Sequence, residues 1–135
     1  MLPIFVLLLM SLNVGVNDLT ASVNYWQREM GLWGWYISVE VVDPSRLTDG
    51  TVGHIDTDLP TRTARIRVLD TQYSDLPSDQ AHADQLLTIA HEMVHLKRLV
   101  KDHSPNWRDE DATVRQTFSL LTKHRRWLEL SVAER

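Results

Sequence analysis

Cysteine is absent from the 135 residues. Its absence excludes disulfides and every thiolate metal site, leaving His, Asp and Glu as the only strong metal ligands available. Long apolar runs are also missing. The longest, "MLPIFVLLLM" at the start, is about half of the ~20 residues a helix needs to cross a bilayer, so no transmembrane span is expected. No Lys or Arg precedes this run and no clear small-x-small cleavage site follows it, which argues against a signal peptide and for a cytoplasmic protein. Residues 1–16 acting as a signal after all would make it secreted. Positive charge is in short supply as well: 14 Lys and Arg against 18 Asp and Glu leave a net charge of -4. That balance gives no broad attraction to nucleic acid or anionic membrane, so a nucleic-acid partner is not indicated beyond a local patch.

What is present is ordinary globular material, 43% apolar and 24% charged with five tryptophans. No repeat or linker interrupts it, so residues 17–135 are expected to form one domain behind an apolar N-terminal segment, 1–16. "NDLTASVNYWQREMGL" places Leu19, Val23, Trp26 and Met30 at helical spacing after Asn17 or Asp18 as N-cap, with Gly31 as the stop. "WGWYISVEVVD" changes to period two, with Trp35, Ile37, Val39 and Val41 on one face and Asp43-Pro44 ending the strand. A second strand is expected over Thr51 to Ile55. A third is expected in "TARIRVLD", where alternating arginines suit an edge strand or a half-solvated face. A helix then begins near Ser78 or Asp79 with Leu86, Ile89 or Ala90, Met93, Leu96 and Val100 as its core stripe. Ser104-Pro105 reads as the opening of a last long helix that turns Trp107, Val114, Phe118 and Leu121 inward. Segregated strands and helices make the class α+β, with a small, mostly antiparallel sheet.

The chemistry concentrates in "AHEMVHLKRL", where His91, Glu92 and His95 form H-E-x-x-H. Residues four apart on a helix are about 40° apart around the axis, so both imidazoles project from one face. Two such rings can reach one tetrahedral Zn²⁺. Glu92, on the adjoining flank, is placed to act as general base on metal-activated water attacking a carbonyl, later returning the proton to the leaving amine. Against this stands a plain amphipathic helix with solvated histidines.

A catalytic zinc wants three protein ligands and an open position. Two residues compete for third place: His103, where the chain turns back after the helix, and Glu110, expected about two turns into the last helix on its inward stripe. An unpaired carboxylate there would be costly, and ligation would explain it. Asp111 is a weaker version of the same idea. Bland readings exist for both competitors, a solvated loop histidine and an acid favoured by the helix dipole. Tyr73, His54, Arg65 and Arg67 are further candidates for polarising a substrate carbonyl, though each also reads as surface. His82 and His124 read as solvated, and "KHRRW", residues 123–127, as a solvated basic face.

On these residues the chain resembles the zincin metallopeptidases: "TIAHEMVHL" is similar to their active helix. "HEMVHLKRLVKDHSPNW" resembles the SprT-like group through His103, Ser104 and Trp107. The longer pattern from "YWQREMGLWGWYISVEVVD" through "TARIRVLD" to "DEDATV" resembles small metallopeptidase-like proteins of phages and prophages with a glutamate ligand. Arg98 stands where metzincins carry glycine, so that pattern does not fit. The resemblance implies a zincin-like fold, a Zn²⁺ cofactor, a peptide or protein substrate, and an edge strand that holds the substrate by strand addition, with "TARIRVLD" as the natural strand. The expected function is therefore a zinc metalloendopeptidase. The alternative is a non-catalytic, zinc-stabilised accessory or DNA-associated protein, in which His91, His95, His103 and Glu110 would all close on the metal.

Overall fold

A computed structural model describes residues 18–133, and side chains within 19–124. The expected roles of segment 1–16 and of Asn17 fall outside these residues. Helix α1, Asp18–Glu29, is followed by strands β1 (Tyr36–Val42), β2 (Gly53–Asp58) and β3 (Thr63–Leu69), then helices α2 (Ser78–Val100) and α3 (Glu110–Ala133). The class is α+β. Among the described residues no helix is long and apolar enough to cross a membrane.

Helix α1 buries the expected stripe of Leu19, Val23, Trp26 and Met30. It ends on Gly31 at φ 66, with Leu32 N–H bonding to the Gln27 carbonyl and Gly31 N–H to that of Arg28. This six-to-one and five-to-two pair satisfies carbonyls that a helix end otherwise leaves open. Gln27 Nε2 then donates to the Leu32 and Trp35 carbonyls, fixing how the chain enters β1.

The sheet order is β1-β3-β2, with β3 parallel to β1 and antiparallel to β2. Two expectations are corrected here. The sheet is mixed rather than mostly antiparallel, and "TARIRVLD" is its centre rather than an edge. The physical reason lies in the connections. A short turn returns β2 into β3 as a hairpin, whereas 43–52 spans two strand spacings, about 10 Å, leaving room for β3 between β1 and β2. Period-two alternation assigns faces, and those hold: Ala64, Ile66 and Val68 are buried while Arg65 is exposed. The second strand begins at Gly53, two residues later than expected, and Val41 of β1 is 44% exposed.

The helices cover one face, α1 against β1 and α2 against β2 and β3. Helix α2 is buried around most of its girth, with Ile89, Met93 and Leu96 meeting Ile55 and Ile66, all fully buried. Each such side chain contributes about 1.5–3 kcal/mol relative to exposure. Lys97 and Arg98 in its last turn suit the negative end of the helix dipole.

The last helix departs furthest from expectation. It starts at Glu110, not at Ser104-Pro105, and Asp109 is the cap, its carboxylate accepting from Asp111 and Ala112 N–H. The stretch before it is held as turns by Arg98, which is 4% exposed and whose Nη2 donates to the Asn106 carbonyl at 2.9 Å and approaches Ser104 Oγ at 3.4 Å. Thr113, Thr117 and Leu121 face inward; Val114 and Phe118, expected in the core, are 50% and 53% exposed. Trp107 precedes the helix and packs against the core from the loop.

Candidate metal centre

His91, Glu92 and His95 offer ligand atoms within 4.8 Å of one another, a group that can hold a metal ion. The two rings stand edge to face with centroids 4.8 Å apart. Across from them, the first residue of α3 reaches back: Glu110 Oε2 is 2.9 Å from His91 Nε2, and Glu110 Oε1 is 2.9 Å from His95 Nε2. The 101–109 turn makes this approach, and Asp109 as cap fixes where the first helical residue lies. Glu110 is thus in the opening turn of its helix, not two turns in, and its side chain is 69% exposed rather than on an inward stripe.

The other nitrogen of His95 settles its tautomer. Nδ1 lies 2.8 Å from the Trp107 carbonyl, which only accepts, so Nδ1 carries a hydrogen. Thr113 Oγ1, 3.2 Å from the same nitrogen, donates its own proton to the Asp109 carbonyl and leaves lone pairs toward the ring. In its neutral form the imidazole turns the Nε2 lone pair on the Glu110 carboxylate. Two lone pairs at 2.9 Å repel unless a proton or a metal cation lies between them. A ring N–H anchored to a carbonyl is also the usual support of a ligating histidine.

Glu92 is 5% exposed, and its Oε1 is 4.0 Å from His95 Nε2, farther than either Glu110 contact. Burial, with the Glu110 charge adding to it, pushes its carboxyl up to about 8, against a smaller opposing pull from the Arg108 guanidinium. His91 is held below the ordinary histidine value by burial first and by His95 second, outweighing the attraction of Glu110; it is neutral and available as a ligand near pH 7.

His103, the competitor, is exposed and sits in the left-handed region at φ 50. It makes no hydrogen bond or ion pair among the described residues. Asp111, one residue along, contributes its backbone N–H to the Asp109 cap. The remaining candidates lie away from the cluster. His54 and Arg67 contact Asp56 at 3.1 and 3.5 Å, Arg65 and Tyr73 are exposed, and none lines the cleft beside the histidines. His124 is not solvated: its Nδ1 lies 2.8 Å from the Tyr25 hydroxyl and ties α3 to α1, while His82 has a buried Nδ1. Of "KHRRW", only the Lys123 and His124 side chains fall within the described residues.

Sequence reasoning missed Arg108 and Gly53. Arg108 stacks on Trp107 at 4.2 Å and its Nη2 donates to the Ile55 carbonyl on β2, so one loop braces both His95 and the edge strand. Gly53 brings that strand so close that a Cβ would stand 2.2 Å from the Thr88 methyl and 3.6 Å from Glu92 Oε2. A glycine opening a strand was the only available signal. Between 50–53, α2 and α3 lies a cleft of about 410 Å³ with His91, Glu92 and Glu110 on its wall. No protein-family model, curated protein or solved structure matches the chain.

Proposed function

We propose that the chain is a zinc-dependent metallopeptidase of zincin type, in which His91, His95 and Glu110 hold the ion and Glu92 is the general base. The observation that carries this reading is the Glu110 carboxylate between two Nε2 atoms, one of them on a ring whose Nδ1–H is anchored to the Trp107 carbonyl. Two imidazoles and a carboxylate match the donor set of catalytic zinc, which keeps a fourth position open. Zinc bound there would supply Lewis acidity, lowering the pKa of a water to about 7 and polarising a carbonyl.

The chain's own residues would do the rest. Glu92 lines the cleft beside the cluster without being needed as a ligand, and its carboxyl, pushed up to about 8, is suited to take up and return a proton near neutral pH. A cation alongside would draw that value down, toward the ionised form a base requires. The edge strand next to Glu92 is β2. Val52 and Leu69 pair across the ladder, so by alternation Gly53 turns its N–H and C=O away from β3, toward the cleft, where an extended peptide can add. Strand addition is thus assigned to β2 in place of "TARIRVLD".

His103 in a closed shell would favour the accessory-protein alternative, and the exposed, left-handed His103 lends it no support. The test is Glu92→Gln. With zinc loaded, the wild type should cleave unstructured casein and the variant should bind zinc equally while losing at least ~100-fold in rate. Undiminished cleavage by the variant would remove Glu92 from its role. A zinc-loaded wild type without peptidase activity would remove the enzyme reading.

A further inference from the structure

Strand β2 offers its outer edge at every second residue. Val52 bonds to Leu69 across the ladder, so by alternation Gly53, Ile55 and Thr57 turn their N–H and C=O groups away from β3. One of these groups is already taken. Arg108 Nη2 donates to the Ile55 carbonyl at 3.3 Å, two residues along from Gly53, or about 6.8 Å of strand. A peptide that pairs at Gly53 therefore meets a guanidinium before it can pair at Ile55. The edge beside Glu92 is open at Gly53 and stopped at Ile55.

The stop is tied to the histidine cluster. Arg108 stacks on Trp107 at 4.2 Å, and Trp107 gives its carbonyl to His95. Arg108 is exposed and makes no ion pair among the described residues. Its two acidic neighbours are committed elsewhere, Asp109 to the α3 cap and Glu110 to the histidines. The bond to Ile55 uses one of five guanidinium N–H groups and leaves the rest for an anion. The charge also reaches Glu92, where it opposes the rise that burial and the Glu110 charge produce.

We propose that Arg108 receives the C-terminal carboxylate of a peptide added along β2, so that the protein trims peptides from their C-terminal end. This rests on the peptidase reading and names its substrate class. Because it bonds an outward backbone carbonyl, the guanidinium stands at the edge itself, not above a face of the sheet. Side chains of an added strand stand perpendicular to the sheet, whereas the chain's end stays in line with the ladder, so a terminal carboxylate fits here better than an acidic side chain. The planar fork matches a carboxylate through paired hydrogen bonds. Gly53 precedes Ile55, so a peptide whose last residues lie toward Arg108 runs parallel to β2. Water adding across a C–N bond at the cluster leaves a new carboxylate on the longer fragment and a free amine on the short one released.

Two measurements on the full-length, zinc-loaded protein test the proposal. The first compares kcat/KM for N-acetyl peptides with a free C-terminal carboxylate and for the same peptides amidated. The acid should exceed the amide by about ten-fold or more, the worth of a hydrogen bond to a charged group. Arg108→Gln keeps an amide donor for the Ile55 carbonyl and removes the charge; its acid-to-amide ratio should fall toward one, through KM. An amidated peptide ending in Glu should not match the free acid, and if it does, the guanidinium reads acidic side chains and the terminal assignment is overturned. The second needs no turnover: saturation-transfer NMR should show N-acetyl-dialanine binding the wild type more strongly than its amide, and the difference should vanish in Arg108→Gln. Should no peptide be cleaved while this difference depends on Arg108, the peptidase reading fails and the carboxylate site stands. Cleavage of acid and amide at equal rates, or a preference for the acid that survives Arg108→Gln, overturns the proposal.

Discussion

Glu110 Oε1 meets His95 Nε2 at 2.9 Å, on the side of the ring opposite the Trp107 carbonyl. One imidazole is thus held between a loop and the first turn of the following helix, although the two helices are separated by nine residues of turn, 101–109. The relationship makes the histidine-bearing face of α2 depend on the 101–109 turn.

The metal-free protein should lose stability as pH rises through Glu92. Its folded value of about 8 lies above the ordinary carboxyl value of 4.5, so between these the native state retains a proton that the unfolded chain has released. Stability then falls with rising pH, at up to about 1.4 kcal/mol per unit, and levels off above pH 8. Urea unfolding in chelator should show Glu92→Gln more stable than wild type at pH 9, by on the order of a few kcal/mol, and equal to it at pH 4. A difference that does not grow with pH would contradict the buried carboxyl.

Gly53 tests how closely β2 sits on α2. In Gly53→Ala the new methyl would lie 2.2 Å from the Thr88 Cγ2, a stiff β-branched side chain on a buried helix face. Overpacking of this kind costs about 1–3 kcal/mol. Thr88→Ala should recover most of that loss in the double variant, giving strong coupling in a denaturant cycle. Additive losses would mean that the strand and helix are not in contact there.

Arg98 is the buried strut of the 101–109 turn. Arg98→Met removes its bonds to Asn106 and Ser104 and should cost about 2–3 kcal/mol in thermal or chemical unfolding. Because the same turn presents the Trp107 carbonyl to His95, zinc affinity should fall about ten-fold with it. Arg98→Lys should not restore either quantity, since the lysine nitrogen falls one bond short of the place of Nη2, from which the bonds are made. Full recovery by lysine would reduce the role of Arg98 to charge alone.

Much of this was readable beforehand, and the failures share a cause. The Leu19, Val23, Trp26 and Met30 stripe and the His91, Glu92 and His95 spacing depend on one helix each, so periodicity carried them. Strand direction and order depend on the length and path of connections, and period two is the same for a central strand as for an edge. Ser104-Pro105 has the chemistry of a helix start, but Arg98 pins that stretch as turns and Asp109 supplies the cap. Val114 and Phe118 have the same spacing whether the helix faces a core or a cleft. His103 and Glu110 could not be separated by sequence distance, because the reversal of the 101–109 turn brings the later residue to the histidines and turns the nearer one outward.

Zinc affinity of Glu110→Ala and His103→Ala, measured against wild type by competition with a chromophoric chelator, tests the centre most directly. The wild type should bind one equivalent, Glu110→Ala should bind at least ~100-fold more weakly, and His103→Ala should match the wild type. Unchanged affinity in Glu110→Ala, or its loss in His103→Ala, would contradict the assignment of Glu110 as the third ligand.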